Sequence, residues 1–146
     1  YYELFSGFMG GVLGQFLCRN FNGFVNSVVS MAYGDRSKLT PEIMHHYRKP
    51  LPTRESRKGT WVFPGEIIGS SEWLASLWEK HDRITSKPTL FAWGAKDIAF
   101  RNDILEQWKQ AIPHGQVHVF KDAGHYVQDE AGEALAPMIF KFMQTN

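Results

Sequence analysis

Apolar positions change their rhythm three times along this chain. Over residues 1–34, Phe5, Phe8, Phe16, Phe21 and Phe24 recur between glycines at no clean period, which predicts short, irregular helices rather than strands. Asn22-Gly23 breaks this run, and Phe24, Val25, Val28 and Val29 resume at helical spacing before a turn at Gly34-Asp35-Arg36-Ser37. Gly7/Gly11 and Gly10/Gly14 have the spacing of close helix contacts but read here as turns or loose helix. Thr40-Pro41-Glu42 is a helix start: a hydroxyl cap, proline at the first helical position and an acid in the first turn. Ile43, Met44 and Tyr47 then share a face, and Pro50 and Pro52 close the helix. From Leu51 to Gly69 the prolines and glycines predict a long ordered loop around Trp61, Phe63 and Pro64, of the kind that lines something. Ser70 and Ser71 are expected to cap a helix whose Trp73, Leu74, Leu77 and Trp78 form a core-facing stripe.

The pattern then turns to strand–helix–strand. Pro88 to Trp93 is an apolar run that stops at Gly94-Ala95-Lys96-Asp97. Asn102 or Asp103 starts a helix carrying Ile104, Leu105, Trp108 and Ile112, closed by Pro113-His114-Gly115. A second strand, Gln116 to Phe120, ends in Asp122-Ala123-Gly124-His125, and Gly132 to Met143 reads as a terminal helix whose start Pro137 should shift or whose axis it should kink. Two strands joined by a helix make a right-handed parallel unit. Each strand here delivers a titratable side chain just past its C-terminal end, where open α/β sheets place their chemistry. An acid after one strand and a histidine after the next suit a histidine base held and charge-balanced by a carboxylate. Asp97 and His125 are that pair. Asp122 adjoins the histidine too closely to serve easily, and Asp103 reads as a helix cap.

Composition narrows the partners. With 43% hydrophobic residues in 146 and a net charge of +1, the chain is globular, of one-domain length, and gives no reason to expect nucleic acid or an anionic membrane surface. Arg54, Arg57 and Lys58 form the densest basic cluster and read as a solvated loop. A single cysteine, Cys18, excludes an internal disulfide and fits a reducing, cytoplasmic setting. The uncharged run Leu4 to Cys18 is shorter than the ~20 residues a membrane span needs. The six histidines show no zinc spacing with acids or cysteine, so no metal site is expected. Tyr1-Tyr2-Glu3 has neither an initiator methionine nor a basic leader, so the chain is expected to be a piece of something longer.

At this point the residues resemble a known family. Gly94-x-x-Asp97 after one strand and Ala123-Gly124-His125 after the next is the closing signature of α/β-hydrolases. Tyr47-Arg48-Lys49-Pro50, Ser56-Arg57 and Trp61-Val62-Phe63-Pro64-Gly65-Glu66-Ile67 resemble the cap-to-core passage of haloalkane dehalogenases, as do Trp93 to Asp97 and Gly124 to Glu130. The resemblance implies an α/β fold: a helical cap and cap-to-core loop at 1–69, then the C-terminal part of an α/β-hydrolase core at 70–146. It implies Asp97 as the triad acid and His125 as the general base. Phe63 and Pro64 would border the substrate pocket, with Ile98 reaching it from the acid loop. Substrate, halide and water would be the small partners, with no metal or organic cofactor.

One departure is large. The family's aspartate nucleophile sits on a sharp strand-to-helix turn, and this sequence has no G-x-[SD]-x-G turn. Two parallel strands and a cap would also leave an open sheet edge. The missing N-terminal half of the fold is therefore expected as another chain or segment, and the 146 residues alone are expected to be inactive. An epoxide hydrolase using Tyr33 or Tyr47 as acid, a serine esterase, and a non-catalytic fragment are the rival readings.

Overall fold

A computed structural model describes residues 1–145, which divide into two compact units. The first comprises Tyr1–Met31 and Leu39–Lys80. It opens with helices α1 (Tyr2–Gly10) and α2 (Val12–Phe21), followed by a wider π-helical turn over Phe24–Val29 that runs into a short α3 (Ser30–Ala32). Asn22, between α2 and the π turn, takes the left-handed conformation at φ 52°, which asparagine tolerates better than most residues. Helix α4 (Pro41–Arg48) begins as its sequence dictates, with the Thr40 side chain accepting the Ile43 N–H.

The expected loop over 51–69 is corrected in its second half, where α5 (Gly59–Gly69) runs with Pro64 inside it. A proline there removes the bond that residue 64 would give to the Thr60 carbonyl. That carbonyl instead faces the buried Cys18 Sγ at 3.8 Å, a weak S–H donor. Close packing on α1 supplies the rest. A Cβ on Gly10 would lie 2.9 Å from the Gly65 Cα, so the two backbones meet at a glycine contact, and the Ser6 hydroxyl donates to the Gly65 carbonyl at 3.2 Å. Gly10 thus marks a helix contact, whereas Gly11 does mark the break between α1 and α2.

Helix α6 (Ser71–Trp78) follows, but no serine side chain caps it: the Ser70 hydroxyl donates to Glu66 and the Ser71 hydroxyl to the Ile68 carbonyl. Its stripe is corrected too. Trp73, Leu74, Leu77 and Trp78 are exposed, because a shared face buries only as far as another surface covers it.

The second unit comprises Ala32–Lys38 and the described residues from His81 onward. After a short α7 (Asp82–Thr85) come β1 (Leu90–Gly94), α8 (Asn102–Ala111) and β2 (Gln116–Phe120). The strands pair in parallel, Leu90 opposite Gln116 through Gly94 opposite Phe120. A short α9 (Val127–Glu130) and α10 (Gly132–Thr145) close the described chain. Pro137 leaves the start of α10 at Gly132, where it was read from sequence. Ala123, Val127 and Leu135 form a small core with Ala92, Phe120 and Ala131 packed against it. Among the described residues no helix is long and apolar enough to cross a membrane.

Candidate active site

Parallel pairing of β1 and β2 brings the loops that leave them side by side. Their backbones are tied directly: the Ala95 N–H donates to the Phe120 carbonyl and the Lys96 N–H to the Ala123 carbonyl, both at 3.0 Å. Gly94 permits this crossing, since a Cβ there would overlap the Gly124 carbonyl oxygen. The first loop carries Asp97 and the second His125. His125 Nδ1 lies 2.9 Å from Asp97 Oδ2.

Asp97 is held on its other oxygen as well. Oδ1 accepts the backbone N–H of Ala99 at 2.7 Å and of Phe100 at 2.9 Å, an Asx-type turn that fixes the carboxylate plane. Only 8% of the side chain is exposed. Burial opposes its charge, but the His125 hydrogen bond, the two amide donors and the imidazolium charge outweigh it and hold the carboxyl below its ordinary value. The Asp97 hydrogen bond is the chief cause lifting the His125 imidazole above the ordinary 6.5, against an opposing effect of burial and with help from the carboxylate charge. With the Nδ1 proton given to Asp97, the lone pair of the neutral ring sits on Nε2, which has no hydrogen-bond partner among the described residues. A nitrogen so placed can take a proton from water.

Aromatic rings frame the imidazole. Phe100 lies 5.2 Å from it, and Tyr126 meets it edge-on at 5.4 Å. The Trp93 indole N–H donates to the Phe100 carbonyl at 3.0 Å, pinning the acid loop to the strand it leaves. Tyr33 stacks on Tyr126 at 5.3 Å, and its hydroxyl donates to Asp129 at 2.7 Å. Burial and the charges of Asp129 and Asp97 push the Tyr126 phenol above its ordinary value.

Other candidates fall elsewhere. Ile98, 40% exposed, adjoins the acid in sequence. Phe63 and Pro64 belong to the first unit, where Phe63 is 74% exposed and Pro64 is fully buried. Asp122 pairs with Lys96 at 3.1 Å, and Asp103 lies within the first turn of α8, 3.6 Å from the Arg101 guanidinium. Among the described residues no three His, Cys, Asp or Glu side chains gather as metal ligands would. Sequence reasoning gave no role to Phe100 or Glu130. The Asp97-x-x-Phe100 spacing of an Asx turn could have revealed the first; the second carries no local signal.

Comparison with known proteins decides the family. A sequence model described as the alpha/beta hydrolase fold matches residues 45–132. The chain belongs to the alpha/beta hydrolase fold family. It is 30% identical over 137 residues to a cis-3-alkyl-4-alkyloxetan-2-one decarboxylase of Shewanella oneidensis, covering 90% of this chain and 43% of that relative. Against haloalkane dehalogenase 2 of Mycobacterium bovis it is 29% identical over 141 residues, covering 95% of this chain and 49% of the relative. The crystal structure of haloalkane dehalogenase DbeA from Bradyrhizobium elkani superposes with a TM-score of 0.75 at 24% identity, over 99% of this chain and 52% of that one. The chain thus spans about half the length of the relatives it matches. Within this hydrolase fold, a two-stranded parallel sheet flanked by helices is consistent with the C-terminal portion expected from sequence.

Proposed function

We propose that this chain is the acid–base half of a hydrolase that cleaves carbon–halogen bonds in haloalkanes through an alkyl-enzyme ester. The carrying observation is the His125–Asp97 hydrogen bond, with no partner for Nε2 among the described residues. The likeness to the dehalogenases over nearly the whole chain supplies the substrate class. A carboxylate from outside these residues attacks the carbon bearing the halogen; the C–O bond forms as the carbon–halogen bond breaks, and halide departs with its electron pair. His125 Nε2 then takes a proton from water, whose oxygen attacks the ester carbonyl, and Asp97 fixes the tautomer and stabilises the imidazolium. The adduct collapses by breaking the bond from the acyl carbon to the alkoxy oxygen; the alkoxide takes the imidazolium proton and leaves as the alcohol. The carboxylic acid left behind loses its proton to water, which restores the carboxylate beside the neutral imidazole. No step calls for a metal or organic cofactor. Ile98, exposed and apolar, is proposed to face substrate beside the acid; Phe63, exposed in the first unit, and Pro64 beside it in sequence are proposed as substrate-binding on the strength of the resemblance alone.

Bromide release from 1-bromobutane tests the assignment. The 146 residues alone are expected to release none above the buffer blank. Joined to a segment bearing the aspartate they are expected to turn over. Release by the chain alone would place the nucleophile within it and overturn the division of labour. A second reading is favoured by the decarboxylases at 30% and 28% identity: loss of carbon dioxide from an oxetan-2-one on the same residues. Carbon dioxide release from a cis-dialkyl oxetanone, with no bromide from bromobutane, would select it.

The pH profile carries a sign. Only the neutral imidazole can accept the proton, so turnover is expected to rise with pH through a midpoint above the ordinary 6.5, because Asp97 favours the imidazolium. Stability runs the other way for His125: its contribution is complete below 6.5 and lost as pH rises through the raised value. Asp97, held low, contributes above its ordinary 3.8 and loses that contribution as pH falls through its lowered value. A turnover midpoint at or below 6.5 would mean that the pair does not act as one unit.

A further inference from the structure

We propose that Glu130 is a positioning residue for the His125 imidazole: its buried carboxylate binds the backbone N–H groups of Gly124 and Asp35 and so fixes the loop that carries the histidine. Oε1 accepts from Gly124 at 2.7 Å, and Oε2 accepts from Asp35 at 2.8 Å. Glu130 is 5% exposed, in a molecule whose other buried side chains are nearly all apolar. Acidic side chains are seldom buried this far without partners, so its two amide donors define its role.

Those donors lie on segments that already touch backbone to backbone. The His125 N–H donates to the Ala32 carbonyl at 2.8 Å, immediately beyond the Gly124 contact. A Cβ on Gly124 would overlap the Ala32 carbonyl oxygen, and one on Gly34 would lie 2.6 Å from the Asp122 carbonyl oxygen. No glycine here has positive φ, so these glycines serve close approach rather than an unusual torsion. The segments 32–35 and 122–125 are therefore joined twice, by the His125 amide and by the two oxygens of Glu130. Lys38 Nζ, donating to the Glu130 carbonyl at 2.7 Å, holds the backbone end of the same residue. The imidazole leaves this clamp one residue after Gly124, and its reach to Asp97 is set by the clamp.

The chemistry requires a carboxylate. Both contacts are N–H donors, and a carboxylate offers two acceptor oxygens. Glutamine keeps the shape but replaces one acceptor with an NH2, which would face an N–H head-on and leave a buried donor unpaired. Glu130 does not touch the reacting atoms in this scheme; it acts through the loop. The proposal rests on His125 being the base of the proposed reaction, and its readout needs no substrate, so it stands or falls apart from the choice of halide.

The experiment is an NMR titration of histidine-labelled full chain, with His125 assigned among the six histidines by the signal lost in His125→Gln. Groups facing the ring are Asp97 at Nδ1 and Tyr126 at its edge, and both are unchanged in the variants. In Glu130→Gln the His125 midpoint is expected to fall toward the ordinary imidazole value as the bond to Asp97 loosens, with a lower thermal midpoint. Lys38→Met, a change at an exposed residue that frees the backbone end of Glu130 and removes a positive charge near Asp35, is expected to move it the same way by less. A Glu130→Gln protein with a lower melting temperature but an unshifted His125 midpoint would make the residue merely structural and overturn the proposal. Should that variant fail to fold, an unshifted midpoint in Lys38→Met overturns it equally.

Discussion

Replacing His125 with glutamine is expected to stop turnover while leaving the first displacement intact. In the proposed reaction a carboxylate nucleophile would need no base to attack the carbon–halogen bond, since it is already an anion. Water does need one: at neutral pH it is a poor nucleophile toward an ester. Removing the imidazole withdraws a contribution of about 10²–10⁴-fold from the second step alone. Bromide release should therefore show a burst near one equivalent per active site and then halt. Intact-protein mass spectrometry should find the chain bearing the nucleophile heavier by one alkyl group. A burst of the same size followed by undiminished steady release would remove His125 from the mechanism. Absence of any burst would place the histidine in the first step instead.

How much of this could be read from residues follows from which forces are local. The strand–helix–strand unit was legible because both strands are short apolar runs ended by glycine or charge, and Gln116–Phe120 stands where it was read. Thr40-Pro41 was legible for the same reason: a cap and a fixed φ act within one turn. The pairing of Asp97 with His125 followed from topology, since parallel strands deliver their next residues to one edge. The helix at Gly59–Gly69 was not legible. Its breakers, Gly59, Pro64 and Gly65, argue locally for a loop, and the forces that override them come from Gly10, Ser6 and Cys18, some 40 to 60 residues away. The outward stripe of α6 shows the converse limit. Periodicity says which side chains share a face, and only the presence of another surface says whether that face is buried. Glu130 eluded the sequence because one acid among 15 carries no mark of burial until its two amide partners are seen.

The second large effect is expected from Asp97→Asn, and it separates charge and tautomer from mere shape. The carboxylate accepts on both oxygens, from Nδ1 of His125 and from the amides of Ala99 and Phe100. Asparagine can keep its oxygen on the Ala99 and Phe100 amides, which fix the side-chain plane, and then presents its NH2 to the imidazole. An N–H facing Nδ1 is satisfied only if that nitrogen carries the lone pair, so the ring proton moves to Nε2 and the base faces water with its proton already in place. Loss of the charge also removes what stabilises the imidazolium. Similar inversions in histidine–carboxylate pairs cost roughly 10⁴-fold in turnover, and a loss of about that order is expected here. The two steps should again divide: the halide burst persists, and hydrolysis of the ester fails. Asp97→Ala removes the charge without inverting the tautomer, so it should be less damaging to turnover although it frees more space. A titration of His125 in each variant checks the cause, since both should lower its midpoint once the hydrogen bond and charge that raise it are gone. Should alanine prove the more damaging of the two, the carboxylate would matter chiefly as a filler of its loop, and the tautomer argument would fail.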